Sequence, residues 1–258
     1  MITDLQKASV LKRISAYLLD FILLVVLITG IAFLLSVILN TNQPIGVIPQ
    51  KWDYCTEKYG IDPMYIYSDE YLALTSEERA EIDLKLQEMQ IELYKDQDFV
   101  IAWNQLVNLS MLIISLSILF SYLILEFVLP LIFKNGQTIG KKIFSIAVMR
   151  TDGVRINPTI LFIRTVLGKY TIETMIPVFL VLLILFGNLG LLGTVILAFM
   201  LLLQIAMVAT NQYRSAIHDL FAKTVVVDLA SQMIFDSPEA LLEYKQKLQA
   251  EKAEKAQY

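Results

Sequence analysis

Long, uninterrupted apolar runs dominate the chain, and polar residues are concentrated between them. An apolar run of about 18 residues or more is typical of a transmembrane helix, because about 20 helical residues cross a hydrocarbon core about 30 Å thick. Four runs are long enough: residues 14–39, 105–133, 159–186 and 189–210. The pattern therefore predicts an all-α polytopic membrane protein with four transmembrane helices. Only Gly187-Asn188 separates the last two runs, which predicts a tight antiparallel hairpin.

The composition supports the bilayer as the solvent of these helices. The chain is 56% hydrophobic, whereas soluble domains are nearer half. The first run follows Lys12 and Arg13, as the apolar part of a signal peptide would, but it is far longer than the roughly 7–15 residues of such a segment. It also ends in polar residues 40–42 without a small-residue cleavage site. We therefore expect an uncleaved membrane anchor.

The loops differ in charge, and this difference predicts the orientation. Residues 41–102 hold five Lys/Arg against thirteen Asp/Glu, whereas residues 134–158 hold five Lys/Arg and one acid, Asp152. Basic loops stay in the cytoplasm. With four spans, both termini are then cytoplasmic, and the expected location is the cell membrane. The predicted segments are 1–40 (N-terminus and first helix), 41–102 (extracytoplasmic acidic loop), 103–133 (second helix), 134–158 (cytoplasmic basic hairpin), 159–210 (third and fourth helices), 211–230 (cytoplasmic helix and strand) and 231–258 (C-terminal cytoplasmic helix).

The acidic loop carries its own helix pattern. Thr75 to Glu78 form a capping-box sequence ahead of Ile82, Leu86, Met89 and Leu93, which recur at helical spacing and predict an amphipathic helix of about five turns. The single cysteine, Cys55, has no partner for an intramolecular disulfide, and we interpret it as an unpaired thiol in a loop.

Two cytoplasmic segments resemble each other and suggest an internal repeat. Residues 141–149 and 218–226 each combine a short amphipathic helix with a β-type run, and in this alignment Lys142 matches Asp219. Two parallel repeats of this kind occur in some transporters, although chance similarity is an alternative. A turn at 151–153 and the β-type runs predict a small cytoplasmic sheet with strands 146–150, 154–156 and 223–227.

Charged residues inside the apolar runs are the candidate functional groups. An acid near the bilayer centre costs about 2.5–3.5 kcal/mol on insertion scales, so Asp20 and Glu126 need partners or a function. Arg13 and Arg164 lie at similar depth. We predict that these four residues form a charge network that serves as an ion or proton site. Arg13 has a simpler alternative role, since a long side chain near a helix end reaches the interface.

Further charges have less specific interpretations. Lys169 and Glu173 stand one helical turn apart and are expected to neutralise each other. Two alternatives are that Glu173 continues a polar path toward the outside, and that a short or tilted third helix begins nearer Tyr170. Asp219 is expected to form a salt bridge with Lys142. His218 is interpreted as a hydrogen-bonded structural residue or a proton sensor. Since no nucleophile, metal or cofactor pattern accompanies these residues, an enzyme is not predicted, and neither a metal nor a cofactor is expected.

Several of these positions resemble the RDD family of bacterial membrane proteins, named for one arginine and two aspartates. The matching residues are Arg13, Asp20, Gly136, Gly140, Lys142, Arg164, His218 and Asp219. Lys223 departs from the family pattern, which commonly has glycine there, and the long loop 41–102 exceeds the minimal pattern. The resemblance implies an uncertain function with transport suspected, and cation/proton exchange in some members.

The leading hypothesis is a transporter of a small solute or cation, possibly coupled to protons. Four helices make a thin bundle, so a homo-oligomer is a further expectation. The expected partners are the lipid bilayer and a cation or small solute, and no nucleic acid. The alternative is a non-transporting assembly or accessory protein whose intramembrane charges are structural.

Overall fold

The computed structural model describes residues 6–185, 190–210 and 215–255. Among these residues, four helices are long and apolar enough to cross a membrane, which confirms the predicted spans: Val10–Ile38, Gln97–Phe133, Pro158–Leu185 and Gly190–Met207. We name these the first to fourth spans. The predicted turn at 187–188 lies outside the described residues.

Two of the spans begin earlier than the apolar runs. The first begins at Val10, where the Ser9 hydroxyl accepts a hydrogen bond from the Lys12 amide. The second begins at Gln97, where Asp96 Oδ1 accepts from the Phe99 amide. Such capping satisfies amide groups that a helix start leaves unpaired. Polar caps therefore extend both helices beyond their apolar parts.

The structure is mostly helical, with one small sheet. The helices are Val10–Ile38, Asn42–Tyr59, Asp69–Ala73, Ser76–Lys95, Gln97–Tyr122, Leu129–Phe133, Ile139–Ile143, Pro158–Phe162, Ile176–Leu185, Gly190–Thr210, Ile217–Phe221 and Pro238–Lys255, with a 3₁₀ turn at Pro63–Tyr67, π-helices at Leu123–Val128 and Ile163–Met175, and strands β1 (Ile146–Arg150) and β2 (Thr224–Asp228). The chain divides into two compact units, Met1–Ile31 with Ser117–Tyr258, and Ala32–Leu116.

The unit Ala32–Leu116 contains the predicted amphipathic helix. Helix Ser76–Lys95 begins with the capping box, in which the Thr75 side chain and Glu78 satisfy each other's backbone amides. Its Met89 and Leu93 are buried against a helix that the sequence did not predict, Asn42–Tyr59. Cys55 lies in that helix and is 2% exposed. Cys55 is thus an unpaired thiol as interpreted, but its predicted place in a loop was wrong, because it lies in a packed helix.

The sheet belongs to the other unit. β1 and β2 pair antiparallel, with Val148 opposite Val226. The strand predicted at 154–156 is not a regular strand among the described residues, because Arg155 and Val154 make only isolated bridges, to Met149 and Phe235. On the other side, Lys7 bridges to Val227. The sheet therefore joins segments next to the first, second and fourth spans, so these span ends lie on one side of the bundle.

Each strand follows a five-residue helix in the same way. The residue directly before each strand has a positive φ, 53° at Ser145 and 51° at Lys223. The third residue of the two short helices is Lys141 in one and Asp219 in the other. The structural correspondence is thus shifted by one residue from the predicted similarity, which had placed Lys142 opposite Asp219.

The second and third spans contain π-helical segments, Leu123–Val128 and Ile163–Met175. A π-helix bonds residue i to i+5 and is frequent at functional sites. Glu126 lies in the first segment, and the second carries polar residues that contact neighbouring elements, among them Arg164, Thr165, Lys169 and Glu173. A change from α-helix to π-helix alters which residues share a face of the span. The apolar pattern of the sequence did not reveal this change.

Candidate functional site

Asp20 is held by the short helix Ile139–Ile143. Its Oδ1 accepts a hydrogen bond from the Gly140 amide at 2.8 Å, and its Oδ2 accepts from the Thr138 hydroxyl. A side chain at Gly140 would place Cβ 2.3 Å from the carbonyl oxygen of Ala16. Glycine therefore lets this helix pack directly on the backbone of the first span, where Asp20 satisfies one of its first amides.

Lys141 joins the two carboxylates that the sequence predicted as an ion site. Its ammonium lies 3.8 Å from Asp20 Oδ2 and 3.7 Å from Glu126 Oε2. Burial lowers the pKa of Lys141 to about 8, although the charges of Glu126 and Asp20 act in the opposite direction. The sequence prediction missed Lys141, although it lies directly between Gly140 and Lys142, which the sequence analysis had singled out.

Glu126 binds a second lysine, from the third span. Lys169 Nζ lies 2.5 Å from Glu126 Oε1, so Lys169 does not pair with Glu173 as predicted. Glu126 is 6% exposed, and its Oε2 is buried without a hydrogen-bond partner among the described residues. Asp20, Glu126, Lys141 and Lys169 together balance in charge. We call them the carboxylate–lysine cluster.

Arg164 belongs to a neighbouring group. Its Nε donates to Asp219 Oδ1 at 2.9 Å, and the Thr224 hydroxyl donates to the same oxygen at 2.7 Å. Both Arg164 and Asp219 are at most 2% exposed. Burial opposes ionisation of Asp219, but the Arg164 guanidinium holds the pKa of that carboxyl well below its usual range. Arg164 therefore forms its direct ion pair with Asp219, and its charge also interacts with Glu126 over a longer distance.

The predicted salt bridge between Lys142 and Asp219 was wrong. Lys142 is exposed, and its ammonium lies 4.0 Å from the centre of the Phe133 ring. A one-residue step along a short helix turns the side chain by about 100°. Lys141 therefore points into the protein and Lys142 points out.

His218 connects Arg164 with Glu173. Its Nδ1 lies 2.7 Å from Glu173 Oε2, and its Nε2 lies 3.0 Å from Arg164 Nη2. A guanidinium has no acceptor, so Nε2 must accept and Nδ1 must donate. This assigns the neutral tautomer protonated at Nδ1. Burial also lowers the pKa of His218, in spite of the opposing charge of Asp219.

A backbone hydrogen bond and close packing also hold His218 against the third span. The backbone amide of His218 donates to Glu173 Oε1 at 2.9 Å. A Cβ on Gly168 would lie 2.5 Å from the His218 Cβ. Gly136 has φ 60° and lies against Val148, so it serves as a turn and packing residue. Arg13 lies in the first turns of the first span and is partly exposed.

The tautomer of His218 can be measured directly, because the chain has one histidine. Protein labelled with ¹⁵N-histidine should give, at pH 7, the chemical shifts of a neutral ring protonated at Nδ1. Titration should occur below the usual pKa of about 6.5. In Glu173→Gln the Nδ1 preference should weaken. A charged ring at pH 7, or a neutral ring protonated at Nε2, would contradict this assignment.

Comparison with known proteins adds a family but no named relative. Within the described part of the chain, no group of three or more His, Cys, Asp or Glu side chains could hold a metal ion. No curated protein and no solved structure matches the chain significantly. The model of the RDD family matches residues 7–223, which include both buried charge groups. The chain therefore belongs to the RDD family.

Proposed function

We propose that this protein is a membrane transporter of a small cation or solute, coupled to protons. The observation that carries the proposal is Glu126 Oε2, a buried carboxylate oxygen that has no hydrogen-bond partner among the described residues. A buried acceptor of this kind is costly unless something binds it. Ionisable residues within membrane helices commonly mark ion and proton pathways.

Lys141 suggests how protons would be coupled to a cation. Its ammonium lies between Asp20 and Glu126, and its pKa of about 8 allows it to lose a proton at mildly alkaline pH. Loss of that charge removes the ammonium between the two carboxylates and leaves Glu126 paired with Lys169. A monovalent cation between the carboxylates then restores charge balance, and its release accompanies protonation of Lys141.

The orientation and the repeat are part of the same proposal. We infer that the sheet side faces the cytoplasm, since residues 134–158 are basic and residues 41–102 acidic.

We also infer two parallel repeats. The equal helix–strand units support this, and so do the matching caps, because Asp20 accepts from the Gly140 amide as Glu173 accepts from the His218 amide. Gly140 and His218 are each the second residue of their short helix.

Transport assays with purified protein in vesicles test the function. With an outward or inward proton gradient, wild-type vesicles should exchange protons for a cation from a panel that includes Na⁺, K⁺ and Li⁺. Asp20→Asn and Glu126→Gln should lower the rate at least about tenfold, since each removes a charge from the cluster. Lys141→Gln should abolish the rise in rate near pH 8.

Lys142→Gln is the matched control, since Lys142 neighbours Lys141 but is exposed. It should keep the wild-type rate and pH profile. Proton-coupled flux that persists unchanged in Asp20→Asn and Glu126→Gln would exclude the proposed site.

The alternative, an assembly or accessory protein, is favoured by the structural role of Asp20 as a cap of the short helix. In that case wild-type and Asp20→Asn vesicles would be equally impermeable to every ion tested. Asp20→Asn would instead lower the amount of folded protein in the membrane.

A further inference from the structure

A cavity of about 270 Å³ lies where the third span begins, and no residue of the carboxylate–lysine cluster lines it. Its polar lining includes Arg150, Asp152 and Lys223, and its apolar lining includes Ile160, Ile163 and Phe221. The third span starts at Pro158, so Ile160 and Ile163 belong to its first two turns. The cavity therefore lies at the boundary between the membrane and the polar segments.

Hydrogen-bond donors predominate in this cavity. Asp152 is its acid, and both of its carboxylate oxygens are engaged, one by the Val154 amide and the other by Arg150 Nη2. In the described part of the chain no hydrogen bond or ion pair engages the Lys223 ammonium. Arg150 has further N–H groups beyond the one that binds Asp152. A ligand that offers several acceptors and negative charge fits this arrangement.

The backbone of Lys223 has a conformation that is unusual for a residue with a side chain. Its φ of 51° lies in the left-handed region, which favours glycine. The carbonyl of Lys223 accepts a hydrogen bond from the Thr151 amide, which fixes the residue beside Arg150. The chain thus carries a cationic side chain at a position where the backbone would accommodate glycine more easily.

Apolar groups next to these cations complete the site. Phe221 is 61% exposed, and Ile160 and Ile163 line the same cavity from the third span. Phe221 therefore offers exposed apolar surface directly beside the cavity. A phosphate bound by Lys223 and Arg150 would therefore have apolar surface directly beside it. A free phosphate would leave that surface unused, whereas a phospholipid would cover it with its acyl chains.

We propose that this cavity binds the phosphodiester headgroup of an anionic phospholipid, with Lys223 and Arg150 as the phosphate-binding residues. The acyl chains then lie along the beginning of the third span beside Phe221. This site is separate from the proposed transport site, so lipid binding can be tested even in a protein that does not transport.

Binding can be measured with the full-length protein in nanodiscs or by native mass spectrometry, using phosphatidylglycerol against phosphatidylcholine as probes. The wild type should prefer phosphatidylglycerol. Lys223→Gln and Arg150→Gln should each weaken that preference about fivefold, as expected for one interfacial cation. Lys252→Gln, an exposed lysine of the C-terminal helix, is the control and should bind as the wild type does.

Two further experiments distinguish lipid binding from a structural role of Lys223 and from binding of free phosphate. Lys223→Gly should fold at least as well as the wild type, because glycine suits the left-handed backbone, yet it should lose the lipid preference to the same extent as Lys223→Gln. Inorganic phosphate at millimolar concentration should not compete. Equal binding of both lipids, an unchanged preference in Lys223→Gln and Lys223→Gly, or full displacement by inorganic phosphate would each overturn the proposal.

Discussion

Replacing Arg164 with methionine is expected to lower the free energy of unfolding by about 3–5 kcal/mol, the usual cost of leaving a buried charge without its partner. Arg164 is 2% exposed and Asp219 is 1% exposed, so water does not replace the lost guanidinium. Methionine has similar length and fills most of the space. His218 Nε2 loses its donor in the same variant.

Reversible unfolding in mixed detergent measures this change, and a double variant isolates the charge. Asp219→Asn removes the negative charge and keeps an oxygen for the Thr224 hydroxyl. Arg164→Met with Asp219→Asn should therefore regain a large part of the lost stability. Arg150→Met, which breaks the exposed pair with Asp152, should change stability by less than about 1 kcal/mol. A loss below that size in Arg164→Met would refute the buried pair.

The sequence was sufficient to predict the four candidate spans, because a long apolar run with few charges is the pattern of a helix able to cross a membrane. Local patterns also predicted the amphipathic helix that Thr75 caps and the two strands that became β1 and β2. Helix Asn42–Tyr59 was missed for a physical reason. Pro44, Gly46 and Pro49 all disfavour a helix, and packing of Ile48 and Cys55 in a core with Met89 and Leu93 outweighs that preference.

The partners of the charged residues could not be predicted from the sequence. It identified Asp20, Glu126 and Arg164 as residues of similar depth, but depth does not tell which helix faces which. Lys141, and not the neighbouring Lys142, is the shared partner of Asp20 and Glu126. Which of the two lysines points inward depends on how the short helix packs.

The π-helical segment had a similar effect on the third span. It directs Lys169 toward Glu126 and Glu173 toward His218, whereas regular α-helical spacing had paired Lys169 with Glu173.

Gly140→Ala is expected to be the most damaging small substitution in the site. The new Cβ would lie 2.3 Å from the Ala16 carbonyl oxygen and 2.9 Å from Asp20 Cγ. The first contact is with backbone, which cannot rotate away, so the short helix must move from the first span. We expect a loss of about 3 kcal/mol, the upper part of the usual range for overpacking. Ion exchange should fall to the level of Asp20→Asn.

Gly30→Ala is the matched control, because a Cβ at Gly30 in the first span meets nothing within 4 Å. Alanine there should leave stability unchanged or raise it by up to about 1 kcal/mol through helix propensity. If the damage in Gly140→Ala comes from separating the Gly140 amide from Asp20, adding Asp20→Asn to it should cost much less than Asp20→Asn alone. If the stability loss of the double variant equals the sum of the losses of the two single variants, Gly140 and Asp20 act independently. Two residues that share one interaction would instead show a smaller combined loss, because either substitution alone already removes that interaction.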